Sequence, residues 1–312
     1  MQVTSNTRAF IEAEQYSEFI LLNLHDGLLP GAWYRDVSDF STGTTLHIKT
    51  VGSVTLQEAA EDTALVYNPI ETGEITFQIS EYTGDAWYVT DDLREDGTNI
   101  DMLMTQRSTE STRSFQEMIE TKFLACAAKA YPNSNNYAIN GFAHKIVSAA
   151  SNNVFQLGHL IAMRLAFDKA NVPAAGRVFI CDPTVEATLN GLVTITNNVT
   201  DFGKTVLQNG FGNGHTFIMN LFGWDIITSN RLYQGAANDG TTSLTNGVYN
   251  LFMCVLDDQT KPVMHAVRRQ PKVEGERNKD RSRDEFVMKS RYGFGVQRMD
   301  TLGVLVTDPT HY

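Results

Sequence analysis

The chain is poor in the features that mark secreted, membrane-spanning or nucleic-acid-coating proteins. Its three cysteines, Cys126, Cys181 and Cys254, are odd in number, far apart and set in apolar stretches such as "FLACAAKA". That excludes a disulfide framework or a thiolate zinc site and predicts buried thiols in a reducing compartment. No run of about 18 apolar residues occurs, and the N-terminal "MQVTSNTRAFIEAEQ" lacks a basic region followed by an apolar core. Neither export nor membrane spanning is expected, so the "NVT" sequon at Asn198 carries no glycan. Positive charge is short as well: 25 Lys and Arg face 36 Asp and Glu, a net charge of -11. Such a field repels polyanions at long range, so any contact with nucleic acid must be local.

What is present is core-forming material. The 312 residues are 42% hydrophobic and 20% charged, enough for two subdomains or one extended domain. Residues 8–24, "RAFIEAEQYSEFILLNL", place Phe10, Ile11, Phe19, Ile20, Leu22 and Leu24 at partly helical spacing, which predicts an amphipathic N-terminal segment. From about 44 to 90 the pattern changes to alternation rich in Thr, Val, Ile and aromatics, which predicts a long β-hairpin with little core of its own. Residues 98–131 then predict one helix of roughly 30 residues, on the order of 45 Å long, stopped by Pro132. Its middle, Gln106 to Arg113, is almost wholly polar. "NVFQLGHLIAMRLAFDKA" predicts another helix, followed by a buried strand, an Asp-Pro turn and a short helix, an α/β arrangement. A Gly- and Asn-rich tract with short strands covers 197–247. Finally "DEFVMKSRYGFGVQR" alternates, with Phe286, Met288, Tyr292, Phe294 and Val296 on one face.

Motifs for chemistry fail on inspection. "DFGKT" (Asp201 to Thr205) resembles part of a phosphate-binding loop, but Asn198 stands where the loop needs its first glycine, and no kinase catalytic loop accompanies it. "NGFGNGH" (Asn209 to His215) lacks dinucleotide-loop spacing. A calcium loop beginning at Asp92 would put Arg94 and Leu103 at ligand positions, so "DDLREDG" is expected to be a solvated turn. The seven histidines form no metal-binding pair, and no G-x-S-x-G elbow is present. No catalytic residue, metal or cofactor is expected, and the chain is expected not to be an enzyme.

One local reversal of charge remains. From Arg268 to Arg298 there are ten Lys and Arg against five Asp and Glu, which leaves 15 basic and 31 acidic residues elsewhere. Lys and Arg interleaved with Tyr292 and Phe294 could stack bases and pair phosphates. The acids scattered among them return repulsion to phosphates and instead suit pairing with a similarly patterned protein surface. Residues Arg277, Lys279, Asp280, Arg281, Arg283 and Asp284 are therefore candidates for contact between subunits. Glu274 to Glu285 is expected to be a loop and Phe286 to Arg298 a strand.

The order of elements resembles the major capsid proteins of tailed bacteriophages, an α+β class called the Hong Kong 97-like fold. "VPAAGRVFICDPTVEATL" (172–189), "FGWDIITSNRL" (222–232) and "SRYGFGVQRMDTLGVLVTD" (290–308) carry the likeness. The resemblance implies an N-arm at 1–40, an E-loop hairpin at 41–90 that lies across a neighbouring subunit, and a P-domain spine helix within 91–141. It further implies an A-domain at 142–260 and P-domain C-terminal strands at 261–312. It implies hexamers and pentamers of the chain itself, packed against neighbouring capsomers in an icosahedral virion shell. That shell would enclose double-stranded DNA without sequence-specific binding, would be assembled in the host bacterial cytoplasm, and could use scaffolding, portal and decoration proteins; no membrane is involved. The alternatives are the shell of an encapsulin-type nanocompartment and a nucleic-acid-binding protein using 268–298.

Overall fold

The computed structural model describes residues 28–29, 33–38, 43, 45–52, 56–58, 61, 67, 69–97, 100–132, 134–196 and 217–312. The N-terminal segment at 8–24, the "DFGKT" stretch and the "NGFGNGH" stretch lie outside them. In chain order the elements are β1 (Arg35–Asp36), β2 (Thr45–Val51), β3 (Thr72–Gln78), β4 (Glu81–Thr90), α1 (Asp91–Asp96), α2 (Ile100–Ala128), β5 (Ala138–Ile139), β6 (Phe142–Ala143) and β7 (Lys145–Val147). Then follow α3 (Leu157–Lys169), β8 (Arg177–Cys181), α4 (Pro183–Thr196), β9 (Phe217–Leu221), β10 (Trp224–Thr228), β11 (Gln234–Asn238), β12 (Ser243–Cys254), β13 (Val263–Asn278), β14 (Arg283–Val296) and β15 (Leu302–Thr307).

The most apolar strands lie in one sheet, on either side of β12. "RVFIC" of β8 and "LGVLVT" of β15 are buried at every position, which requires a sheet covered on both faces. They lie inside a seven-stranded sheet ordered β7-β15-β12-β8-β10-β9, with β11 also pairing with β12. Alternation then divides the core. Val178 and Ile180 join Phe123, Leu124 and Ala127 of α2 on one side. Phe179 and Cys181 join Leu160, Met163 and Phe167 of α3 on the other. There Phe179 stacks on Phe252 at 4.1 Å and Trp224 meets Phe252 edge-on at 4.8 Å, geometries that add to the burial of the rings themselves. A Cβ at Gly303 would come within 2.5 Å of Met163 Sδ, so glycine is what lets α3 approach β15 so closely.

A second sheet, ordered β1-β13-β14-β4, covers the other half of α2. Met288 and Tyr292 of β14 are buried, as the alternation predicts. The polar middle of α2 is explained here. Ser111, 1% exposed, donates from Oγ to Asp85 Oδ2 at 2.7 Å and lies 3.4 Å from Met288 Sδ. Arg107 pairs with the same carboxylate at 2.8 Å and lies over the Trp87 ring. Thr105, Thr109 and Thr112 return their hydroxyls to the carbonyls of Asp101, Thr105 and Ser108 four residues back, so these helix polar groups need no water.

Four expectations need correction. The stretch at 44–90 is not one hairpin: β2 pairs with β3 alone, while β4 pairs with β14, because one face of β4 supplies Trp87 and Val89 to the space beneath α2. The last fifty residues are also split. β13 and β14 stay in the four-stranded sheet, whereas β15 enters the seven-stranded one, where only a doubly covered position hides six apolar or neutral side chains. "DDLREDG" forms the short helix α1, capped by Thr90 Oγ1 accepting from Leu93 N at 3.4 Å. Cys126 is only half-buried, although Cys181 and Cys254 are buried.

Candidate functional site

The stretch expected to be a loop is the distal half of a β-ribbon. β13 runs to Asn278 and β14 resumes at Arg283, leaving Lys279 to Ser282 as the turn. The mixed charge that argued for a loop is compatible with strand because Arg277 stands opposite Asp284, while Glu285, which stands opposite Glu276, turns to Arg283. Such cross-strand pairs favour the sheet. Ser282 closes the turn with a φ of 45°, and its carbonyl accepts from Asp91 N at 3.1 Å.

The six candidate residues separate into two groups. Arg277 makes a two-pronged contact with Asp91, 2.7 Å from each guanidinium nitrogen to its own carboxylate oxygen, and reaches Asp284 at 3.2 Å. Asp284 also accepts from Arg94 at 2.6 Å. Arg283 pairs with Glu285 at 2.7 Å and lies over the Tyr88 ring. Hydrogen bonding from Arg277 holds the Asp91 carboxyl below its usual range, and hydrogen bonding from Arg283 does the same for Glu285. Lys279, Asp280 and Arg281, in contrast, are exposed at the tip and make no side-chain ion pair among the described residues. Three of the six thus shape the tip and three project from it.

Behind the tip lies a groove of about 450 Å³ between α2 and the ribbon, lined in part by Trp87, Ile100, Met104, Val273 and Phe286. Phe286 stacks on Trp87, and the indole Nε1 of Trp87 has no hydrogen-bond partner among the described residues. The described residues contain no cluster of His, Cys, Asp and Glu able to hold a metal ion. Burial pushes the Cys126 thiol up to about 11 and the Cys181 thiol well above its ordinary value, so neither is an activated nucleophile.

Sequence reasoning missed Glu120, a nearly buried carboxylate on α2. It accepts from Leu29 N at 2.9 Å, from Ser229 Oγ at 3.3 Å and from Arg231 at 3.4 Å. Its neighbour Glu117 pairs with both Arg231 and Arg113. The available signal was a charged residue amid the apolar positions of the helix's second half; its partners are about 90 to 110 residues away in sequence.

The model of the family described as phage capsid protein matches residues 72–307. No curated protein matches the sequence. Among solved structures, the capsid of Cyanophage P-SCSP1u is similar with a TM-score of 0.73 at 18% identity, covering 96% of this chain and 93% of that one. A structure from Mycobacterium phage Che8 has a TM-score of 0.67 at 16% identity, covering 97% of this chain and 98% of that one. An encapsulin complex from Synechococcus elongatus is also similar, with a TM-score of 0.56 at 12% identity, covering 100% and 98%.

Proposed function

The chain belongs to the phage capsid protein family, and from that membership we propose that its hexamers and pentamers close around phage double-stranded DNA. It is a major capsid protein with the Hong Kong 97-like α+β fold, and its copies associate into the capsomers of an icosahedral virion shell. The family match over most of the chain carries this conclusion. In the finer reading the shell is assembled in the host bacterial cytoplasm, needs no catalysis by this chain, and grips the genome without sequence preference. Scaffolding, portal and decoration proteins are its further partners. The N-arm is residues 1–40, the E-loop 41–90, the spine-helix part of the P-domain 91–141 and the A-domain 142–260, with 261–312 returning to the P-domain apart from β15.

The ribbon tip contacts a neighbouring capsomer. Arg277, Arg283 and Asp284 hold its shape through pairs within the subunit, while Lys279, Asp280 and Arg281 are free to meet oppositely charged groups. Interspersed signs of this kind set register and exclude wrong partners more than they add affinity. The same acids keep the tip from acting as a DNA handle.

Electron microscopy and sedimentation of the purified protein test the shell. Closed particles are expected, and a chain that stays monomeric in every preparation refutes it. Copurifying DNA supports the virion reading, whereas a copurifying enzyme would favour a nanocompartment. Lys279→Glu with Arg281→Glu tests the tip: particle yield should drop while the subunit melts normally, and unchanged yield would remove the tip from the assembly surface.

A further inference from the structure

A two-residue turn joins β9 to β10, with Leu221 opposite Trp224 and both central residues in the left-handed region, Phe222 at a φ of 51° and Gly223 at 81°. That mirror-image turn favours Asn-Gly, and a bulky aromatic at its first central position is strained. The strained residue is held in place from α3. Arg164 donates from Nη1 to the Phe222 carbonyl at 3.1 Å and pairs with Asp168, which pairs in turn with Arg177 at 2.7 Å. Phe222 is 38% exposed, and Ile161 and Leu165, which share the α3 face of Arg164, are 52% and 43% exposed. Three large apolar groups gathered round one arginine mark a contact surface. Asn would serve the turn itself better, so the ring is kept for a contact outside the subunit.

A socket of matching character lies elsewhere on the same chain. A cavity of about 660 Å³ opens between the C-terminal end of α2 and the β11–β12 hairpin, walled in part by Tyr233, Ala236, Leu244 and Tyr249. Lys129 and Lys145 line it and no acid does. The Lys129 ammonium lies over the Tyr233 ring and makes no ion pair among the described residues. Asp225, beside the turn, accepts from the neutral Asn220 at 2.7 Å and likewise makes no ion pair among the described residues. An acid without a cation next to the knob thus answers a cation without an acid at the socket. Knob and socket do not meet within one subunit. Phe222 is on the α3 side of the seven-stranded sheet, at the end where β8 begins and β12 finishes. The cavity is on the α2 side and reaches Ser243, where β12 begins.

We propose that Phe222 of one copy, with Ile161 and Leu165 around it, seats in the Tyr233–Tyr249 cavity of the next copy round a capsomer. Two unlike patches on opposite faces give a head-to-tail contact, and such a contact repeated by rotation closes into a ring in which every knob and every socket is filled. An aromatic side chain in a desolvated pocket is the kind of group that carries most of an interface's affinity, and Asp225 facing Lys129 sets its register. This contact rests on the shell reading, which supplies the neighbouring copy.

Phe222→Asn separates the contact from the fold. The isolated subunit should melt no lower than wild type, because Asn suits the turn, while particle yield should fall at least about tenfold, as loss of an interface anchor does. Lys129→Glu, at an exposed position, should also lower the yield, because it sets a carboxylate against Asp225, and adding Asp225→Lys should restore it. In wild-type particles a carbodiimide should join Lys129 of one chain to Asp225 of the next, read as a ladder of linked chains ending at the size of a closed ring and as the joined peptides. Wild-type yield from Phe222→Asn overturns the proposal and leaves the shell reading standing. So do particles in which Lys129 is joined to no Asp225 of another chain, or a charge swap that restores nothing although its subunit melts normally. If the unaltered chain forms no particles, the shell reading fails and this contact fails with it.

Discussion

Replacing Asp85 with alanine removes a carboxylate that holds two residues of the polar middle of the long helix. Ser111 Oγ donates to it at 2.7 Å from a position 1% exposed, and Arg107 pairs with it at 2.8 Å from a half-exposed position. A hydrogen bond to a charged acceptor contributes about 1.5–3 kcal/mol. The exposed Arg107 pair adds at most about 1 kcal/mol, since water screens it. Loss of about 2–4 kcal/mol is therefore expected for Asp85→Ala. Ser111→Ala should cost less, about 1 kcal/mol, because Asp85 can turn to water and to Arg107. The double variant should cost less than the sum of the two, with a coupling of about 1 kcal/mol or more, as expected for groups in direct contact. Urea unfolding of unassembled subunits, with all three variants measured against wild type, gives the coupling directly. A coupling indistinguishable from zero would refute the argument that this contact docks the helix's polar stretch onto β4.

Three further outcomes follow from the geometry. Gly293→Ala pushes a methyl against the backbone at Gln78 and Ile79, so it should cost about 1–3 kcal/mol and make the β2–β3 hairpin more susceptible to limited proteolysis, whereas an unchanged melting temperature would mean that the hairpin base is not anchored there. Arg277→Ala should change subunit stability by no more than about 1 kcal/mol despite its short contacts, because the pairs are largely exposed; a larger loss by thermal melting would show that the tip is part of the folding core. Burial lowers the pKa of His144, His159 and His265, so the unfolded chain binds protons first: the stability from keeping them neutral is complete above about pH 6.5 and is lost as pH falls through their lowered folded values. Melting temperature should thus decline on acidification from pH 6.5 in a way that His265→Gln reduces, and a flat profile between pH 7 and 5 would contradict it.

The sequence was most legible where a single periodicity ran long enough to have one solution. The helix predicted at 98–131 is α2, Ile100–Ala128, because its apolar positions in the second half keep helical spacing and Pro132 ends it. The burial of β8 was equally plain from its unbroken apolar run, and the buried face of β14 from its alternation. Partner choice was not legible. Nothing local in Glu81–Thr90 says that it pairs with β14 two hundred residues on rather than with the strand two residues before it; only the space beneath α2 decides. The loop expected at Glu274 to Glu285 failed for a related reason. High charge density suggests irregular chain, but strands with one open face tolerate any residue that can pair across them. Of the six candidate residues, the sequence could not separate those spent within the subunit from those left over, since Asp91 and Arg94, which consume Arg277 and Asp284, belong to an element nearly two hundred residues away.

One helix joins the two sheets, and its charged residues explain how they act as a unit. The first half of α2 is held to the four-stranded sheet by Asp85, through Ser111 and Arg107. The second half buries Phe123, Leu124 and Ala127 against the seven-stranded sheet. Between these grips stands the cluster of Arg113, Glu117, Glu120 and Arg231, which ties the helix to the loop after β10 and, through Leu29 N, to the chain that leads into β1. A nearly buried carboxylate is costly unless its oxygens are satisfied, and Glu120 is satisfied only while all three segments are in place. The contact therefore discriminates between arrangements more than it stabilises any one of them. A shell subunit needs that property, because its two sheets must keep a fixed relative position for its copies to fit together. A hydrophobic seam of the same area would hold the sheets together yet tolerate sliding of the helix by part of a turn.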